Sequence, residues 1–137
     1  MMQILGLDHV VLRVCDMQRM TRFYCEVLGC KIERVREELG MTQLRAGQSL
    51  IDLVAVNGEL GRKGGAAPGK EGRNMDHLCL RIEPFDQGAL TAHLVAHGVV
   101  PGEARTRYGA DGYGPSIYLS DPEGNTVELK GSPTTQG

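Results

Sequence analysis

The segment Leu7-Asp8-His9-Val10-Val11-Leu12-Arg13-Val14 is written a second time as Met75-Asp76-His77-Leu78-Cys79-Leu80-Arg81-Ile82. Asp, His, Leu12/Leu80 and Arg fall at matching places, and the remaining positions stay apolar. Short apolar runs rich in branched residues and bounded by polar ones predict buried β-strands. Strand side chains alternate between faces, so His9 shares a face with Val11 and Arg13, and His77 with Cys79 and Arg81. A histidine repeated at one point of a repeated strand implies two equivalent strands presenting two imidazoles.

The elements after each of these strands are duplicated as well. Asp16 is the expected N-cap of a helix through Met17, Met20, Tyr24, Val27 and Leu28, closed at Gly29. Strands are expected at 31–38, 41–46 and 49–56. Residues 57–74 are Gly-rich and read as a mobile linker. The second round predicts a strand at 75–83, a helix at 86–97 and a strand at 103–107. A loop from Tyr108 to Pro115 comes next, then a strand at 116–120. Asp121-Pro122-Glu123-Gly124 is a turn. A strand at 125–130 precedes a frayed tail, 132–137. Leu50-Ile51-Asp52-Leu53 corresponds to Thr126-Val127-Glu128-Leu129, so each half opens on a His strand and closes on an acid strand. The fold expected is α+β: two tandem βαβββ modules, about 5–56 and 75–131, in a single domain.

The 137 residues suffice for one domain with a core. With 41% hydrophobic and 23% charged residues and a net charge of −2, neither a nucleic-acid nor a membrane surface is expected. The absence of an export signal points to the cytoplasm. There Cys15, Cys25, Cys30 and Cys79, which show no CxxC spacing, read as buried or half-buried free thiols.

The repeat selects four candidate metal ligands: His9, Asp52, His77 and Glu128. A carboxylate in an aliphatic strand is costly unless it is paired or bound to a cation. Two imidazoles with one or two carboxylates suit one divalent Zn, Ni, Mn or Fe. The competing reading is two core histidines and two surface acids. Arg13 and Arg81 lie on the histidine faces and would either neutralise an anionic substrate or cap a strand end. Tyr108 and Tyr113 would sit on a flexible loop able to close over a site. His93 and His97 lack the Glu of a metal-binding HExxH helix, and the Gly64–Lys70 stretch lacks the helix a phosphate loop needs.

Together, Leu7–Leu12, Phe23-Tyr24-Cys25-Glu26-Val27-Leu28-Gly29, Met75–Leu78 and Tyr118–Leu129 make the chain resemble the vicinal oxygen chelate superfamily. That superfamily includes glyoxalase I, extradiol dioxygenases, fosfomycin-resistance proteins and bleomycin-binding proteins. The resemblance covers about 5–131 and is greatest to small glyoxalase-domain proteins. It implies half-open curved sheets around a metal cavity, a homodimer, and sites that often combine strands of both chains. It implies His9, His77 and Glu128 as metal ligands, with Asp52 where glyoxalase I has a Glu. The activity implied is lyase or isomerase chemistry on a small vicinal-oxygen substrate, with Glu128 and Asp52 as candidate bases. Fe(II) ring cleavage of a catechol and non-catalytic antibiotic binding are the alternatives.

Overall fold

The computed structural model describes residues 1–134. The strands are β1 (His9–Val14), β2 (Lys31–Arg36), β3 (Met41–Ala46), β4 (Ser49–Ala55), β5 (Leu78–Arg81), β6 (Arg105–Gly109), β7 (Gly112–Ser120) and β8 (Thr126–Lys130). The helices are α1 (Met17–Arg22) and α2 (Gln87–Ala96). They form two compact units, Met1–Asn74 and Met75–Gly137. Each contains one open four-stranded sheet, ordered β1-β4-β3-β2 in the first unit and β5-β8-β7-β6 in the second. In each sheet the His strand pairs parallel to the acid strand and the other pairings are antiparallel. This is the α+β, twofold βαβββ organisation that the repeat predicts.

In the first unit Leu12, Val14, Ile51, Leu53 and Leu44 are buried with Met20, Phe23 and Tyr24. The strand register puts Leu12 opposite Leu53, and Leu44 opposite Ile51, on one face. Asp16 caps α1 by accepting from the Arg19 amide at 3.0 Å. The helix continues as a π-helical turn, Phe23–Val27, and reverses at Gly29, whose φ of 82° suits glycine. In the second unit Val127, Leu129, Ile117 and Leu119 fill the equivalent face, with Leu94 of α2 also buried. Asp121 shapes the β7–β8 turn by accepting from the Glu123 and Asn125 amides, at 2.9 and 3.0 Å.

Four expectations are corrected. The His strands are half-buried, because only alternate residues of β1 face the core. Residues 57–74 contain a 3-10 turn, Gly61–Gly64, and are tied to β1 through Arg13 rather than left as a free linker. Tyr108–Pro115 is no flexible loop: β6 and β7 form a tight hairpin in which Tyr108 pairs with Tyr113, and Gly109 with Gly112. The start of the expected tail runs beside β7, where the Thr134 amide donates to the Tyr113 carbonyl at 2.8 Å. The rest of that tail, 135–137, lies outside the described residues. All four cysteines are free, but Cys15 and Cys79 are exposed. Among the described residues no helix is long and apolar enough to cross a membrane.

Candidate functional site

The face of each sheet opposite its core carries the predicted polar residues. In the first unit Val11, Asp52 and Gln43 stand side by side across β1, β4 and β3. In the second, Cys79, Glu128 and Tyr118 stand side by side across β5, β8 and β7. The histidine lies two residues before Val11 in one case and two before Cys79 in the other, on the same face. The sequence repeat is therefore also a repeat of register.

In the second unit the chemistry converges on Glu128. Its carboxylate is 5% exposed, and Oε1 lies 3.3 Å from His77 Nε2. Tyr118 on β7 and Cys79 on β5 flank it in the strand register. Desolvation first, and then the Glu128 charge, push the Cys79 thiol up to about 11, with Lys130 and Arg81 opposing. Desolvation, followed by Glu128, also raises the Tyr118 phenol. Tyr118 meets the His77 ring edge-on at 5.5 Å, and the Arg107 guanidinium lies 4.5 Å from its centroid.

A second contact fixes the imidazole. His77 Nδ1 lies 2.6 Å from Asp76 Oδ1, and His9 Nδ1 lies 2.7 Å from Asp8 Oδ1. A carboxylate only accepts, so Nδ1 carries a proton and donates, which leaves Nε2 as the nitrogen with which a neutral ring would bind a cation. This is the carboxylate–histidine arrangement that orients metal-binding imidazoles. The aspartate before each histidine was present in the repeat, yet sequence reasoning gave it no role. The same hydrogen bond to Asp8 is the main cause of the raised pKa of His9. Desolvation opposes it, and the Asp52 charge reinforces it.

In the first unit Asp52 is 4% exposed. Its Oδ2 accepts from Gln43 Nε2 at 3.2 Å, and its Oδ1 has no hydrogen-bond partner among the described residues. The Gln43 amide is oriented by Arg34, whose Nε donates to Gln43 Oε1 at 2.6 Å. Gln43 is a site residue that sequence reasoning missed. Only the strand register, which sets it beside Asp52, reveals it.

Arg13 and Arg81 differ. Arg13 Nε donates to the Gly61 carbonyl at 2.9 Å, and its terminal nitrogens donate to the carbonyls of Gly64, Gly65 and Ala66. A β-carbon on Gly64 would come within 2.6 Å of the guanidinium. Asn74 clasps the Arg13 backbone at both N–H and C=O. With four of its five N–H donors taken up by its own chain, Arg13 pins the connector to β1. Arg81 pairs with Asp111 at the hairpin tip and lies 3.4 Å from Ser132 Oγ. Arg81, His77, Cys79, Glu128, Tyr108 and Lys130 help line a cavity of about 250 Å³ within the second unit. Tyr108 and Tyr113 form an exposed edge-to-face pair at 5.0 Å.

The donors suit a divalent cation. His77 Nε2 and Glu128 Oε1 stand 3.3 Å apart, a nitrogen and an oxygen donor close enough to share one cation. The orphan Asp52 Oδ1 is a buried anionic oxygen lacking a partner. Among the described residues no group of three or more His, Cys, Asp or Glu side chains is placed to hold a metal ion.

A family model described as Glyoxalase/Bleomycin resistance protein/Dioxygenase superfamily matches residues 6–129. Among solved structures, a virulence protein from Salmonella typhimurium is 28% identical with a TM-score of 0.79, the match covering 96% of this chain and 100% of that one. The fosfomycin resistance protein FosX from Mesorhizobium loti is 20% identical with a TM-score of 0.67, over 97% and 96% of the two chains. TnmS3, an antibiotic-binding protein from Streptomyces sp. CB03234, is 21% identical with a TM-score of 0.73, over 97% and 100%.

Proposed function

Because the chain belongs to the Glyoxalase/Bleomycin resistance protein/Dioxygenase superfamily, we propose that it is a metal-dependent enzyme of the vicinal oxygen chelate type. His9, Asp52, His77 and Glu128 would be the ligands, with one divalent Zn, Ni, Mn or Fe per site. The observation that carries this reading is the duplicated pairing of an aspartate-oriented histidine with a buried strand carboxylate. A fold that needed only a core would not repeat that costly combination.

When bound, such a cation supplies Lewis-acid stabilisation for two adjacent substrate oxygens and for enediolate-like charge developing on them. The chain's own residues do the rest. Glu128 is the base: it takes a proton from the carbon beside the oxygens and returns it to the neighbouring carbon, which is lyase or isomerase chemistry. Its buried place between Tyr118 and Cys79 on the sheet sets where its carboxylate stands. Asp52, with a free Oδ1, is the second base. Asp8 and Asp76 keep the imidazole protons away from the reacting side. The working form is proposed to be a cytoplasmic homodimer acting on a small molecule.

Iron in the same ligands would favour catechol ring cleavage instead, because an imidazole–carboxylate triad with open positions suits Fe(II) oxygen chemistry. The cavity in the second unit, together with the antibiotic-binding protein among the structural neighbours, favours a non-catalytic binding role as the rival. Elemental analysis of untagged protein, after incubation with each ion, tests the proposal. Near one metal per chain supports the enzyme, and the ion retained chooses the chemistry. No retention of any ion moves the reading to the binding protein.

A further inference from the structure

We infer that the cavity of the second unit carries an oxyanion subsite built around Lys130, so that the substrate is a small molecule bearing a carboxylate or phosphonate group. The substrate class rests on the enzyme reading above; the subsite itself does not need the metal.

Lys130 is 2% exposed and lines the cavity beside Glu128 and Arg81. Burying an ammonium is expensive unless its donors are satisfied. The acceptor it has among the described residues is the Gly112 carbonyl, 2.9 Å from Nζ. An ammonium has three donors, so two are available to a ligand. The space for the side chain is built by glycines. A β-carbon on Gly109 would come 3.0 Å from Lys130 Cε, and one on Gly114 would come 3.1 Å from Nζ and 2.9 Å from the Ser132 carbonyl.

The repeat shows that the fold does not require this lysine. Counting two residues on from the acid, Lys130 corresponds to Val54, which is buried as an ordinary apolar side chain. The strand partners correspond as well: Arg81 faces Lys130, and Arg13 faces Val54. In the first unit that end of the face is taken by the carbonyls of the connector bound to Arg13. In the second it is a cavity with two cations in its wall, Lys130 and Arg81, the latter paired with Asp111. An incoming oxyanion would accept from Lys130 and compete with Asp111 for Arg81, close to Glu128. The neutralising alternative is that Lys130 serves only as counter-charge to Glu128.

The test is a ¹H–¹⁵N NMR titration of the full, chelator-treated chain with propionate, methylphosphonate and the neutral isostere propionamide. The structure predicts saturable shifts of the Gly109 and Gly112 amides with at least one of the anions and none with propionamide. Whichever anion binds more tightly identifies the group. Lys130→Met should weaken anion binding about tenfold or more, the loss expected for a charge-assisted hydrogen bond, while Lys130→Arg retains it. Should Lys130→Met fail to fold, the Lys130 ammonium resonance of the wild type is read directly: it must move with the anion and not with propionamide. Equal response to propionamide, or full anion affinity in a folded Lys130→Met, overturns the inference and leaves Lys130 as a counter-ion. Because the titration is run on chelator-treated protein, neither result bears on whether the chain binds a metal.

Discussion

The two units use one strand plan for different ends. Both put a His strand parallel to an acid strand and orient the imidazole with the preceding aspartate. They part at the acid and at the position two residues beyond it. Glu128, one methylene longer than Asp52, reaches its histidine at 3.3 Å and stands between Tyr118 and Cys79. Asp52 has Gln43 on one oxygen and nothing on the other. Beyond the acid, the first unit seals its face with Val54 and the Arg13-bound connector, whereas the second leaves a cavity lined by Lys130. Both copies thus keep the means of holding an imidazole and a carboxylate, while the cavity and its buried lysine lie in one.

The largest test of that division is at the acids. Glu128→Ala is expected to cost more than about a hundredfold in metal affinity, above the usual ceiling for an outer-shell change. Asp52→Ala should cost less. Equal losses would make the two acids equivalent and remove the asymmetry. Next come the orienting aspartates: Asp76→Asn and Asp8→Asn should each weaken metal binding by roughly 10- to 100-fold, by calorimetric titration, because the ring loses its fixed tautomer. If only one of them matters, only one histidine is a ligand.

Stability gives two smaller contrasts. Arg13→Ala should destabilise the protein by about 2 kcal/mol in denaturant unfolding and open 61–66 to proteolysis, since hydrogen bonds to a charged group are lost. Arg81→Ala, which breaks a half-exposed ion pair, should cost less than about 1 kcal/mol. In metal-free protein, Asp52→Leu is expected to stabilise by about 1 kcal/mol, because a buried oxygen without a partner disappears. Glu128→Leu should gain less, because no such orphaned oxygen is removed and His77 Nε2 would lose its 3.3 Å neighbour.

The smallest effect is alkaline. Cys79 titrates at about 11 in the folded chain against an ordinary 9.0, so the unfolded chain loses its proton first. The resulting loss of stability begins as pH rises past 9 and is complete near 11. Cys79→Val, which copies Val11 of the first unit, should show a shallower decline across that window. An unchanged decline would assign it to Cys30, also raised to about 11 by burial.

Much of this was legible in the sequence because the repeat is written in residues of sharp physical meaning. The His strand, the acid strand, the Asp16 cap and the Gly29 reversal each obey a local rule, and all appear in the fold. What was missed depends on register between distant strands. Gln43 is unremarkable in sequence until β3 sets it beside Asp52, and Lys130 looks like a strand-end lysine until the hairpin glycines close over it. The Tyr108–Pro115 stretch read as a loop because its glycines signal turns. Here the turn is only the hairpin tip, and those glycines make room for Lys130 and the backbone after it. Arg13 was read for its charge, whereas four backbone carbonyls brought in by the connector decide its role.

The central claim is that His9 and His77 are both metal ligands. Metal stoichiometry in the wild type, His9→Ala and His77→Ala, measured in parallel at known protein concentration, tests it most directly. The account predicts one metal per chain in the wild type and a large loss in either variant. Two metals in the wild type and one in each variant would make the units independent sites. Retention of the full complement in both variants would return the histidines to a structural role and contradict the account.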